Sequence, residues 1–409
     1  MKESGFVQKA SGGVTAAKGF SAGGIHCGVK KAKLDLAMIY TSSPAAAAGV
    51  FTQNLVKASP VLVTKENIAS GYGRAVVINS GNANACTGQK GIDDAEEMAS
   101  QTAGALGVKP AEVLVASTGV IGVPLPMENI SEGINKLGKN LSPTGSYDAA
   151  EAIMTTDTFP KQAAVEVDLG GTTVKIGGIA KGSGMIHPNM ATLLGFITSD
   201  AAISPQLLQK ALKDAVNRSF NMISIDGDTS TNDMIIVLAN GEAENPLIEN
   251  ETKEFYRFQE GLFKVCTMLA KLIVRDGEGA TKLIEIEVRG AAAEEDARKI
   301  ARSIANSNLV KTAMYGEDAN WGRILVAAGY SGGYFDPAKV DVYLESSAGS
   351  EKMANAGMGL AFSEENAARI LRETDIKIVI DLNLGQLTAR AWACDLSYEY
   401  IKINTEYRT

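Results

Sequence analysis

The stretch IAKGSGMIHPNMATLLGFITSD, residues 179–200, sets a glycine loop, Lys181 and then Thr192 in one run. A threonine hydroxyl is a weak nucleophile without a base beside it. The chain has two histidines, His26 and His187, so a Ser-His-Asp triad or a zinc site would have to use one of them. A histidine-free solution exists. If the chain breaks between Ala191 and Thr192, the freed α-amine of Thr192 becomes that residue's own base, with an unperturbed pKa of about 7.7–8. The same hydroxyl can make the break by attacking the Ala191 carbonyl, and the small alanine side chain suits that approach. The plainer reading is a buried strand, which the apolar LLGFI run on its own favours. Pro188 and Asn189 argue for a bend ahead of that run, because proline cannot donate to a sheet ladder.

Other stretches carry residue types that such chemistry needs. In VASTGVIGVPLP (115–126) a strand is expected to end at Ser117, with Thr118-Gly119 turning the chain. A hydroxyl beside backbone N–H groups there makes an oxyanion hole, or simply a strand-end turn. VINSGNANACTGQKG (77–91) crowds small polar residues between a strand and a helix, where open α/β sheets bind ligands and helix N-termini favour anions. Its spacing fits neither a Walker nor a dinucleotide fingerprint and favours a capping loop. ISIDGDTSTNDMIIVLANGE (223–242) starts like a calcium loop. Thr231 and Val237 stand where the Asp226 frame needs Gly and Glu, so calcium is rejected. A polar turn remains, in which Asp226 and Asp228 can still face a site. In RDGEGATK (275–282) Glu278 offers a charge for an amine, beside glycines that also suit a helix C-cap. YGEDANWGR (315–323) reads as an Asx-rich loop.

Regular elements must position these stretches. Alternating apolar residues predict strands at 34–42, 74–81 and 111–119. Helical spacing predicts helices over 92–108, 205–220 (with Ser204 as N-cap), 252–277 and 293–307. The C-terminal stretch alternates again and predicts strands at 376–385, 386–395 and 399–409. Strands and helices interleave, so the fold class is α/β (α+β). A boundary is expected near 280–290, with a smaller C-terminal α/β domain over about 290–409.

The composition is that of a globular chain, 45% hydrophobic and 21% charged over 409 residues. A net charge of −8 repels phosphate backbones and argues against nucleic acid as a partner. No apolar run approaches the ~20 residues that span a bilayer, and the first residues lack a secretory pattern. The expectation is a cytoplasmic protein with no membrane partner. Cys27, Cys86, Cys266 and Cys394 form no CxxC pair, which fits free thiols in a reducing compartment.

Taken together, GNANACTG, STGVIG, TTDT, AKGSGMI, PNMATLL, NMISIDGDTSTND, RDGEGATK and GEDANWGR closely resemble the ornithine acetyltransferases, also called arginine biosynthesis bifunctional proteins. The landmarks stand in order from the first strands to the last residue. The resemblance implies self-cleavage between Ala191 and Thr192, giving an α chain (1–191) and a β chain (192–409) with Thr192 as N-terminal nucleophile. It implies that Thr118 and Gly119 form the oxyanion pair, and that Thr155 (or its neighbour Thr156), Lys181, Thr192, Glu278, Asn404 and Thr409 bind substrate. It implies a layered α/β fold related to a self-cleaving aminopeptidase group and similar to the N-terminal-nucleophile hydrolases, and an α2β2 heterotetramer. The implied reaction moves an acetyl group from N2-acetylornithine to Thr192 and then to glutamate, with no metal or organic cofactor. By charge, Glu278 would meet the substrate amine and Lys181 its carboxylate, while the tail NTEYRT (404–409) would help exclude water. Whether acetyl-CoA is also a donor is left open. Two alternatives stand beside this reading: a hydrolase of the aminopeptidase group, which passes the acyl group to water, and a non-enzymatic amino-acid-binding protein.

Overall fold

The computed structural model describes residues 5–187 and 193–406. Ala191, Thr192 and Thr409 lie outside the described residues. Among the latter, the strands are β1 (Val7–Ala10), β2 (Phe20–Ile25), β3 (Leu36–Phe51), β4 (Tyr72–Asn82), β5 (Val113–Val120), β6 (Lys161–Asp168), β7 (Thr173–Lys181), β8 (Leu194–Ser199), β9 (Ile223–Ser224), β10 (Met234–Ala239), β11 (Leu283–Ala291), β12 (Asp341–Ser346), β13 (Gly349–Asn355), β14 (Met358–Gly359), β15 (Asp375–Asp381) and β16 (Leu387–Cys394). They build two sheets. One runs β1-β6-β7-β8-β10-β3-β4-β5, with β2 also paired to β3; the other runs β14-β13-β12-β15-β11-β16-β9. The mixed α/β class read from the sequence is the observed one. β11 opens the second sheet at Leu283, and that sheet also takes in β9 from upstream.

β3 organises the first sheet. It is 16 residues long and extends well past the strand expected at 34–42. Its continuation, SSPAAAAGVF, contains a proline and four alanines, which argue against a strand by propensity. The proline is tolerated because the register against β4 shifts between Tyr40 and Ala45, a bulge that encloses Pro44. Beyond it the alanines alternate. Ala45 and Ala47 enter one buried cluster, Ala46 and Ala48 another, the period of two that a strand buried on both faces demands. The part of β3 before the bulge pairs with β2 and β4, and the part after it pairs with β10 and, at Ala45 and Ala46, with the start of β4. Ile39, Val76, Ile78 and Leu114 share one buried cluster with Leu194, Phe196, Ile236 and Leu238, so the two halves of the sheet face each other.

The helix Lys253–Arg275 packs against β6 and β7 of the first sheet and β16 of the second. It is the joint between them, and its C-terminal end delivers Asp276 and Glu278. The helices Gly88–Leu106, Pro205–Arg218 and Glu294–Asn306 stand where helical spacing placed them, and Ser204 accepts from the Leu207 N–H as N-cap.

The expected strand at 399–409 is not one. Tyr398–Glu406 is a helix. β16 ends at Cys394 with β11 and β9 on either side of it, and Asp395 turns the chain out by accepting from Thr281 and Lys282. Local pairs then favour a helix: the Ser397 hydroxyl accepts from the Tyr400 N–H, and Lys402 pairs with Glu399. Alternating Tyr and Ile over so short a run does not distinguish the two states.

Gly261 lets the long helix approach β6, since a Cβ there would lie 2.4 Å from Val167 Cγ2. Overpacking costs about 1–3 kcal/mol, against a helix-propensity gain of about 0.5–1 kcal/mol. Gly261→Ala should therefore destabilise the protein by about 1 kcal/mol in urea denaturation; unchanged or increased stability would contradict this packing.

Candidate active site

Several elements end at one cleft of about 90 Å³. Its lining includes Thr118 and Gly119 of β5, Thr155 and Thr156 ahead of β6, Lys181 closing β7, Glu278 after the long helix and Asn404 of the C-terminal helix. The described site residues named from the sequence are thus brought together. His26 and His187 are not among the lining residues. His26 stands by the Lys33 carbonyl and the Asp35 carboxylate, and His187 by Asn306.

A buried charge network holds the floor. Asp157 accepts from Lys161 Nζ at 2.6 Å, from the Gly182 N–H at 2.7 Å and from the Thr155 N–H at 3.0 Å, and Lys181 Nζ lies 4.0 Å away. Lys161 also binds Asp276, which accepts from the Thr158 N–H and hydroxyl. Burial alone would raise the Asp157 pKa, but the Lys181 and Lys161 ammoniums hold it well below the usual carboxylate range. Burial pulls the Lys181 ammonium down; Asp157 opposes that and Lys161 adds to it. Lys30 supports the same wall, donating to the Met154 carbonyl at 2.6 Å, and burial brings it down to about 8.

The loop after β7 is fixed residue by residue. The Ser183 carbonyl accepts from the Glu278 N–H at 2.8 Å, and its hydroxyl meets Thr156 Oγ1 at 2.6 Å. Gly184 leaves room for the Glu278 carboxyl, which a Cβ there would meet at 2.6 Å and displace. Asp226 accepts from the Met185 and Ile186 N–H groups. On the far side of the segment that contains Ala191 and Thr192, the Leu193 N–H donates to Asp233 at 3.0 Å, and β8 enters the sheet between β7 and β10. Every residue of β8 is buried, as the LLGFI pattern suggested. Burial raises the Asp233 carboxyl well above its ordinary value, against the pull of Ser230, the Leu193 N–H and Lys181.

Thr118-Gly119 is a distortion within β5 rather than a turn after it. The strand continues to Val120, with a bulge opposite Asn82. Gly119 has φ +133, and a Cβ there would lie 2.3 Å from the Gly81 carbonyl carbon, so only glycine fits. The GNANACTG loop braces this feature from behind. Asn82 donates to the Val123 and Pro124 carbonyls, Asn84 to Gly91, and Asn79 accepts from Ser117. Asn232 ties the strand to the approach to β10, donating to the Ala83 and Ser117 carbonyls at 2.6 and 2.8 Å. The Thr118 hydroxyl makes no hydrogen bond among the described residues. The arrangement offers a hydroxyl donor, an ammonium and a carboxylate around one small opening.

A family model described as the ArgJ family matches residues 21–409. The arginine biosynthesis bifunctional protein ArgJ of Symbiobacterium thermophilum is 57% identical over 402 residues, covering 98% of this chain and 99% of that protein. The chain belongs to the ArgJ family. The resemblance read from the motifs is borne out. Among solved structures, the arginine biosynthesis bifunctional protein ArgJ of Bacillus halodurans is 46% identical and covers 52% of this chain and 98% of that one, with a TM-score of 0.49. Ornithine acetyltransferase of Mycobacterium tuberculosis, complexed with ornithine, is 40% identical and covers 46% of this chain and 99% of that one, with a TM-score of 0.42.

In this ArgJ-family chain, sequence reasoning missed Asp157, Lys161, Asn232, Asp233 and Asp276 as parts of the site. Asp157 lies inside TTDT and Asp276 inside RDGEGATK, so both were in view without a role. Lys161 carried no signal, because a lysine opening a strand reads as solvated.

Removing the Asp157 charge would leave two buried ammoniums short of a partner. Asp157→Asn should cost about 3–5 kcal/mol near neutral pH, the scale of breaking a buried pair. A depressed folded-state pKa contributes stability above the unfolded value of about 3.9 and loses it as pH falls through the folded value. The gap between variant and wild type should therefore narrow below about pH 4. Denaturation at neutral and acid pH checks this, and an equal gap at both would contradict it.

Proposed function

We propose that this chain carries out acetyl transfer in arginine biosynthesis, from N2-acetylornithine to glutamate, through an acetyl ester on Thr192. The observation that carries the reading is the cleft itself. Thr118, Gly119, Lys181 and Glu278 meet there, and Lys181 pairs in register with Leu194, two residues after Thr192. The chain first breaks its own Ala191–Thr192 bond: the Thr192 hydroxyl attacks the Ala191 carbonyl, the acyl group shifts from N to O, and water hydrolyses the ester to leave an Ala191 carboxylate and a free Thr192 amine and hydroxyl. The Thr192 hydroxyl then attacks the acetyl carbonyl, and its α-amine takes the proton. The Thr118 hydroxyl and the Gly119 N–H hold the oxyanion. The C–N bond breaks, the proton passes to the leaving amine, and ornithine departs. The α-amine of glutamate attacks the ester, releasing N-acetylglutamate and restoring the Thr192 hydroxyl.

Charge supports the binding roles. Glu278 meets the substrate amine and is oriented by Asn404 Nδ2 at 2.9 Å; Lys181, Thr155 and Thr409 hold the carboxylate end. Burial pulls the Lys181 ammonium down, and Asp157 beside it opposes that pull in support of this role. The cycle uses no metal or organic cofactor. The word bifunctional in the relatives' names supports acetyl-CoA as a second donor to the same threonine. We place the enzyme in the cytoplasm as an α2β2 assembly.

Mass measurement under denaturing conditions, with N-terminal sequencing, tests the first step: two fragments are expected, one beginning TLLGF. A single full-length species in active protein would overturn the mechanism. Thr118→Val keeps the shape and removes the donor. It should lower turnover by about 10²–10³, with product formation by wild type dependent on glutamate. Glutamate-independent release of acetate would make the enzyme a hydrolase instead.

A further inference from the structure

The DGDTSTND run contains carboxylates that the acetyl-transfer reaction does not use. One of them, Asp226, reaches the loop upstream of the scissile bond. Its Oδ2 accepts from the Met185 N–H at 2.5 Å and its Oδ1 from the Ile186 N–H at 2.8 Å. Met185 has φ +58, a left-handed conformation that disfavours any residue with a side chain and persists where neighbours enforce it. The Ile186 carbonyl accepts from the Ile225 N–H at 2.9 Å, so the residue preceding Asp226 pins the same stretch.

Two further donors complete the carboxylate. The Asp228 N–H reaches Oδ1 at 3.3 Å, and the Tyr400 hydroxyl reaches Oδ2 at 3.3 Å. All four partners are neutral donors, and the N–H groups among them favour the ionised form, while burial outweighs them and raises the Asp226 carboxyl above its ordinary value. Tyr400 belongs to the C-terminal helix, which buries none of its residues. One turn on, Asn404 of that helix donates to Glu278, whose own N–H holds Ser183. The helix is therefore tied to both sides of the loop after β7.

The geometry points to Asp226 as a positioning residue for self-cleavage: its carboxylate clamps Met185 and Ile186 on the approach to the Ala191–Thr192 bond, and Tyr400 joins the C-terminal helix to that clamp. The inference rests on the self-cleavage reading above. Attack by Thr192 on the preceding carbonyl requires a near-attack geometry. A short segment fixed upstream by Asp226 and downstream at Leu193 by Asp233 has fewer conformations to search. Cleavage happens once, whereas turnover afterwards uses the freed Thr192. A clamp on the upstream side therefore acts on the first process and spares the second.

The test follows full-length chains made by cell-free synthesis, with the fragment that begins at Thr192 timed by mass. Asp226→Asn should slow its appearance by about tenfold or more, the scale of a lost charge-assisted bond. Tyr400→Phe should slow it by about threefold. Material that has matured to completion should keep its kcat for acetyl transfer within about twofold of wild type. An Asp226→Asn chain that melts with the wild type and cleaves at the wild-type rate overturns the clamp. So does a parallel loss of cleavage, melting temperature and kcat, which would assign Asp226 to the stability of the fold. Tyr400→Phe removes one exposed-side hydroxyl and tests the link should the first variant not fold; a wild-type rate there overturns the coupling to the C-terminal helix. A wild-type chain that stays whole overturns the self-cleavage reading and this inference with it, whereas cleavage in wild type unaffected by either substitution overturns the inference alone.

Discussion

Two ammonium groups, Lys161 and Lys181, are buried beside one carboxylate, Asp157, with a second carboxylate, Asp276, on the far side of Lys161. Taking such charges out of water costs several kcal/mol per ion unless partners and hydrogen bonds replace the hydration. Here they do, since Asp157 and Asp276 also accept from the Thr155, Gly182 and Thr158 N–H groups. Asp276 caps the C-terminal end of the long helix, where the helix dipole opposes a negative charge. Lys161 offsets that opposition. The helix that joins the two sheets can therefore end in the site only because a lysine from β6 meets it there.

From this network the site inherits its geometry. The Gly182 N–H on Asp157 sets the start of the loop after β7, and the Glu278 N–H on Ser183 sets its middle. Lys181 is left at the edge of the cleft with one shared carboxylate. It can offer positive charge to a ligand without standing wholly uncompensated in the interior. The Thr118-Gly119 side is braced separately, by the asparagines of the GNANACTG loop and by Asn232. Donors fixed before a substrate arrives need no reorganisation when charge develops, and this division of labour supplies them from two independent supports.

The residues that were legible in the sequence are those whose type announces a role. Thr118-Gly119, Lys181 and Glu278 stood in small polar motifs, Thr155 and Asn404 were implied by the family resemblance, and the structure brings all of them to one cleft. What stayed hidden depends on partners far away in the chain. Lys161 is buried only because Asp276, 115 residues on, receives it. Asn232 matters because Ala83 and Ser117 present carbonyls to it. The alanine run of β3 defeated propensity because burial on both faces, a tertiary fact, chose the strand. The C-terminal helix misled in the opposite sense: its alternation was real, but Asp395 turns the chain away from the sheet before it begins.

The position of the proposed cut has its own logic. Read along the first sheet, β7 precedes the Ala191–Thr192 bond, and β8 and β10 follow it. In space β8 and β10 lie between β7 and β3. The portion after the bond is thus held on both sides by strands from before it, through the β7–β8 and β3–β10 ladders. Asp276 adds a charged tie to Thr158 and Lys161, and Asn232 a polar one to Ala83 and Ser117. Breaking one peptide bond removes a covalent link but none of these contacts. Under the proposed self-cleavage neither chain would therefore be released, because the sheet is closed across the Ala191–Thr192 bond by these ladders.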